Sequence, residues 1–168
     1  MNRLAGPILG AMAILLSACV GFTPLYAEPG VVAGLERISV QVPNNRAGFA
    51  LRERLEDAFG RDGTAEPIYR LTTRLSEQRS PLGRRADDTA TRYELTLTVA
   101  YTLTEIRTNR RVHEDVITVS TTYAASAQPY AGVVAGEDGS ERAAAQVADR
   151  IRSDLAQVFA DQAGAVGG

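Results

Sequence analysis

Tyr93-Glu94-Leu95-Thr96-Leu97-Thr98-Val99-Ala100-Tyr101-Thr102-Leu103-Thr104 alternates bulky apolar with mostly polar residues over its whole length. Successive side chains of an extended chain point to opposite faces, so this pattern is a strand with one covered and one wet face. At about 3.3 Å per residue it spans on the order of 40 Å. So long an amphipathic strand needs neighbours in a sheet and a second layer over its apolar side.

Thr108-Asn109-Arg110 follows as a turn, and Arg111 to about Tyr123 forms a return strand. Its apolar parity slips between Val116 and Ile117, which predicts a β-bulge there. On the other side, Ile68 to about Glu77 alternates again, with Tyr69, Leu71, Thr73 and Leu75 facing one way. Between these strands, Gln78 to Asp88 reads as a loop. Leu35 to Val42 predicts a short strand, ended by Pro43. Asn44 or Asn45 then caps a helix running to about Phe59, with Ala47, Leu51, Leu55, Ala58 and Phe59 as its apolar stripe and Gly60 as its stop. Ala124 to Gly139, rich in small residues and glycine, reads as a long loop. Asp138 and Glu141 resemble a capping box for a last helix to about Ala160, with Ala144, Val147, Ile151, Leu155, Val158 and Phe159 in its stripe. The predicted order β-α-β-β-β-α is an α+β two-layer sandwich, two helices packed on one face of a four-stranded sheet. No internal repeat is visible.

The N-terminal region places this domain. Arg3, an apolar run from Ile8 to Leu16, and small Ser17 and Ala18 before Cys19 form a secretory signal. The run is shorter than the ~20 residues a membrane span takes. Leu16-Ser17-Ala18-Cys19 narrows it to the lipoprotein type. Cys19 would carry a diacylglycerol on sulfur and, after cleavage, an N-acyl chain. The expected organisation is a signal peptide over 1–18, a lipidated tether over 19–34, one α+β domain over 35–162 and a flexible tail over 163–168. Pro24, Pro29 and the glycines argue against a regular element in the tether. Phe22-Thr23-Pro24-Leu25-Tyr26 within it is apolar enough to pack on the domain or on a partner.

Cleavage before Cys19 leaves seventeen arginines against twenty carboxylates, a net charge of −3, which gives no argument for nucleic-acid binding. The one cysteine permits no internal disulfide. Catalytic chemistry is scarce. His113 is the only histidine, beside Glu114 and Asp115 on a strand that sends neighbours to opposite faces, and it reads as a solvated strand residue. No nucleophile elbow, phosphate loop or metal-ligand spacing is present. The residues indicate neither an enzyme nor a metal or cofactor, apart from the lipid on Cys19.

Arginine at the strand ends is the more informative pattern. Arg79, Arg84, Arg85 and Arg92 flank the connection between the two strands 68–77 and 93–104; Arg107, Arg110 and Arg111 flank the next turn. Guanidinium forks match phosphate groups. Lipopolysaccharide is the abundant phosphorylated partner of an outer-membrane lipoprotein, so Arg84, Arg85 and Arg92 are the candidate contacts. Asp87 and Asp88 partly neutralise the same loop. The Thr-rich strand face reads as plain wet sheet, or as a surface against the wall of a β-barrel.

Cys19-Val20-Gly21-Phe22-Thr23-Pro24-Leu25-Tyr26 resembles the Cys-Gly-Phe-x-Pro-Leu-Tyr start of alphaproteobacterial LptE, the lipopolysaccharide-assembly lipoprotein. The element order and a long strand opening Thr91-Arg92-Tyr93-Glu94-Leu95 are similar to that family as well. Val20, inserted after the cysteine, is a departure that touches no chemistry, and it is not the Asp that retains enteric lipoproteins in the inner membrane. The resemblance implies a lipid-anchored, non-enzymatic protein on the periplasmic side of the outer membrane. It implies two partners, an LptD-like β-barrel that it plugs and helps to assemble, and lipopolysaccharide. The competing reading is an auxiliary lipoprotein subunit of a lipid-trafficking ABC transporter.

Overall fold

The computed structural model describes residues 29–61, 63–84, 90–126 and 128–166. Its elements are α1 (Pro29–Glu36), β1 (Ile38–Gln41), α2 (Arg46–Ala58), β2 (Tyr69–Arg84), β3 (Ala90–Glu105), β4 (Arg110–Ala124) and α3 (Pro129–Val166). The four strands form one sheet in the order β1-β2-β3-β4. β1 runs parallel to β2, and the rest is an antiparallel meander. All three helices contribute to a single core on one side of the sheet, the predicted two-layer α+β sandwich with one helix more than expected.

β3 forms as its alternation demands. Leu95, Leu97, Val99, Tyr101 and Leu103 are buried. Leu51, Leu55 and Phe59 of α2 and its C-cap, and Val147, Ile151, Leu155 and Phe159 of α3, meet them in the same core cluster. On the opposite face hydroxyls pair across strands, Thr96 with Ser120 at 3.0 Å and Thr98 with Thr118 at 3.2 Å. The α2 start is as read: the Asn45 side chain accepts from the Gly48 N–H at 2.8 Å.

Five expectations need correction. Residues 29–34 are not irregular. They open α1, with Pro29 at the first helical position, where its missing N–H costs nothing. Val31 and Leu35 are buried and Gly34 lies against the Phe159 ring, so the folded unit begins before residue 35 and the first strand only at Ile38. Residues 78–84 are strand rather than loop. Pro81 has the parity of Tyr69, whose N–H points toward β1 and bonds the Arg37 carbonyl at 3.1 Å. Its absent N–H therefore falls on an edge that short β1 does not reach.

The bulge lies elsewhere too. Leu103 faces His113 and Thr104 faces Arg111, which leaves Val112 as the extra residue. Val116 is a valine on the wet face, 58% exposed. Residues 129–139 are helical, so Asp138 and Glu141 sit inside α3 and cap nothing. Finally α3 continues past Ala160 to Val166, through part of the expected tail. At 1.5 Å per residue its 38 residues span about 57 Å, about the length of the longest strands.

Candidate functional site

α3 runs antiparallel to β4. Gly139 meets Thr121, Arg150 meets Thr118, and Asp154 meets His113. The molecule therefore has two ends. At the closed end lie α1, the turn 106–109 and the C-terminal half of α3. At the other lie the β2–β3 hairpin tip, the end of β4 and the start of α3.

The described part of the hairpin end has no fully buried residue. β2 contributes nothing buried beyond Leu75, and β3 nothing buried before Leu95. Arg92 is exposed, opposite both Leu82 and Ala124, on the face away from the helices. Among the described residues no carboxylate pairs with it. The backbone of Arg84 lies opposite Ala90, where the hairpin closes. Arg85 and Cys19 lie outside the described residues, as does the segment 22–26. Arg79 is on the helix side, 3.0 Å from a Glu77 oxygen.

Apolar groups lie on both faces of this end, Leu82 on that of Arg92 and the others on the helix side. Leu82 is half exposed, and Tyr93 and Tyr123 stack with ring centroids 5.6 Å apart. On the first turns of α3, Tyr130 is 82% and Val133 56% exposed. The next positions on that outward side, Glu137, Asp138 and Glu141, are charged. The sequence carries no charge from Val116 to Gly136, a signal that the loop reading of this segment concealed. An exposed guanidinium opposite exposed hydrocarbon, Arg92 with Leu82, suits a phosphorylated amphiphile better than a nucleic acid or a soluble metabolite.

The second arginine set is placed differently. Arg110 lies 3.7 Å from Glu105, and Arg111 2.7 Å from Glu114. These guanidiniums already have carboxylate partners. Arg107 borders an open cleft of about 630 Å³ with Arg37, Glu66, Ile68, Glu105 and Ile106, in which acids and bases balance.

His113 is not a solvated strand residue. Its Nε2 is 2.7 Å from Asp154 Oδ2, and the Tyr101 hydroxyl donates to the same oxygen. Burial, and then the hydrogen bond to Asp154, push the Tyr101 phenol far above its ordinary value, so it remains a donor. This cluster joins β3, β4 and α3 as a structural tie. The only sequence hint was Asp154 sitting between Ile151 and Leu155 on the buried side of its helix. Among the described residues no group of three or more His, Cys, Asp or Glu could hold a metal. No described helix is long and apolar enough to cross a membrane.

Comparison with known proteins bears on this architecture. The profile of the lipopolysaccharide-assembly family LptE matches residues 35–161. The crystal structure of a lipoprotein from Caulobacter crescentus CB15 is 38% identical, covers 79% of this chain and 97% of its own, and superposes with a TM-score of 0.69. Rare lipoprotein B from Shewanella oneidensis shares the fold at 18% identity, covering 74% of this chain and 97% of its own, TM-score 0.57. A minor lipoprotein from Acinetobacter baumannii does so at 15% identity, 73% and 92% coverage and TM-score 0.58. No curated protein sequence matches the chain.

Proposed function

The chain belongs to the LptE lipopolysaccharide-assembly family, and from that membership we propose that it is a non-enzymatic lipoprotein of the outer membrane, anchored through acyl chains on Cys19. It pairs with an LptD-like β-barrel, assists the assembly of that barrel, and binds lipopolysaccharide on its way to the outer leaflet. The observation that carries this reading is the hairpin end, where none of the described residues 76–83 and 91–94 is fully buried and exposed Arg92 stands opposite half-exposed Leu82 on the face away from the helices.

Arg84, Arg85 and Arg92 are the proposed phosphate contacts. Register supports the choice: the backbones of Arg84 and Arg92 stand within two pairs of each other at the hairpin end. The hydroxyl face of the sheet is the surface proposed against the barrel. Barrel interiors are polar, and a hydroxyl-rich centre, with charges such as Arg74 and Glu94 around it, suits such a wall.

The test is affinity capture of the tagged full-length protein from detergent-solubilised outer membranes. A heat-modifiable β-barrel in near-stoichiometric yield is the expected result. Recovery of inner-membrane transporter subunits instead would favour an auxiliary transport role, and recovery of neither would overturn the partnership.

A further inference from the structure

Resting on the reading of the tip as the ligand-binding end, we infer that a glycine seam in α3, with Tyr123 and Glu77 as its partners, positions the hairpin end for binding. None of the described residues 76–83 and 91–94 is fully buried. Core packing therefore does not hold this part of the hairpin, yet α3 contacts β2 at Glu77 and β4 at Thr121 and Tyr123, and β3 joins them through Tyr93.

On β2, Glu77 Oε2 accepts from Ser140 Oγ at 2.8 Å, and Glu77 Oε1 accepts from Arg79 Nη2 at 3.0 Å. On β4, Thr121 Oγ1 donates to the Gly139 carbonyl at 3.0 Å, and the Tyr123 ring lies over Gly136 and Gly139. On β3, Tyr93 stacks on Tyr123. Gly139 makes the tight approach, and Gly136 leaves room for ordinary contact. A methyl at Gly139 would stand 3.2 Å from the Tyr123 ring; one at Gly136 would stand 3.4 Å from Arg79 Nη1 and 3.5 Å from the Tyr123 hydroxyl. Gly132, one turn earlier, has nothing within 4 Å of the same added carbon. Glycine weakens a helix interior, and at Gly139 its use is accounted for by the close Tyr123 ring rather than by the helix.

The consequence concerns affinity. A hairpin that must order its arginines on meeting a ligand spends part of the interaction doing so, whereas one held in advance does not. Tyr123 and Gly139 are thus positioning residues, acting through the hairpin rather than by touching ligand.

The experiment compares the mature full chain in detergent with Tyr123→Ala, Tyr123→Phe and Gly139→Ala. It reads amide hydrogen exchange in residues 80–92 without ligand, exchange in residues 95–103, and lipopolysaccharide affinity. Tyr123→Ala is expected to speed exchange at 80–92 and to weaken binding by about 3–10-fold, the worth of one aromatic pair, with 95–103 unchanged. Tyr123→Phe, which keeps the ring, restores both. Because one methyl at Gly139 displaces the ring by only a few tenths of an ångström, Gly139→Leu is included as the larger step, testing the same contact through the helix should Tyr123→Ala fold poorly. Unchanged exchange at 80–92, or faster exchange with full affinity, would overturn the inference. A wild-type chain that binds no lipopolysaccharide at all would overturn the functional reading instead, and the ligand-free exchange comparison keeps the two failures apart.

Discussion

The two ends of this molecule use the same side-chain types in opposite ways. At the closed end, Tyr101, His113 and Asp154 join three elements through one carboxylate oxygen. Tyr69 and Phe159 meet there at 5.2 Å, and Arg110 and Arg111 each have a carboxylate partner. At the hairpin end Arg92 has no described carboxylate partner, Tyr130 is almost fully exposed, and none of the described residues 76–83 and 91–94 is fully buried. Polar and aromatic groups that satisfy one another hold a fold; the same groups left toward solvent are available to a partner. The difference teaches that arginine content alone does not mark a binding end, since what matters is whether the guanidinium is already engaged.

Substitutions should separate the ends, and the largest effects belong to the covered part. Leu97→Ala, at 0% exposure in the middle of β3, should cost about 2–5 kcal/mol in denaturant unfolding. Gly48→Ala should cost about 1–3 kcal/mol, because the added carbon would stand 2.1 Å from the Pro43 carbonyl oxygen. Asp154→Ala leaves the Tyr101 hydroxyl and the His113 ring without their acceptor. It should cost about 1–3 kcal/mol in the same measurement while leaving lipopolysaccharide affinity unchanged. A loss of affinity in that variant would break the division between the ends.

Alkaline pH probes the same tie with a fixed sign. Tyr101 is held protonated in the fold, chiefly by burial, whereas in the unfolded chain it ionises near pH 10. Ionisation then favours the unfolded state, so this contribution is complete below about pH 10 and declines as pH rises above it. Tyr101→Phe should abolish that part of the decline; equal alkaline profiles for the two proteins would contradict the buried hydrogen-bonded phenol. The smallest stability effect belongs to the tip. Arg92→Ala should change unfolding free energy by less than about 0.5 kcal/mol yet weaken lipopolysaccharide binding by about 5-fold, the equivalent of ~1 kcal/mol.

How much of this was legible in the sequence followed from how local its cause was. The β3 alternation, the Asn45 cap and the α2 stripe are set by neighbours in the chain, and each could be read directly. The start of α3 was not legible. Gly132, Gly136 and Gly139 look like breakers, and only the Tyr123 ring, distant in sequence, explains the glycine at position 139. The bulge showed itself as a parity slip, but exposed Val116 disguised its place, because a valine on a wet strand face reads as an inward one. His113 with Asp154 is a pairing between elements that no spacing announces. The candidate arginines were legible as charge near a strand end. That Arg79 turns to the helix side and Arg92 to the other followed from register, once β2 and β3 were known to extend into the segment expected to be loop.

The central claim is that the hairpin end, and not the closed end, binds lipopolysaccharide. Its most direct test is a lipopolysaccharide titration of the mature protein against two triple variants, Arg84→Ala/Arg85→Ala/Arg92→Ala and Arg107→Ala/Arg110→Ala/Arg111→Ala. The account predicts a loss of at least about 10-fold in the first, from removal of two or three charge-assisted contacts, and an affinity close to wild type in the second. Equal losses in both, or a loss confined to the second, would contradict it.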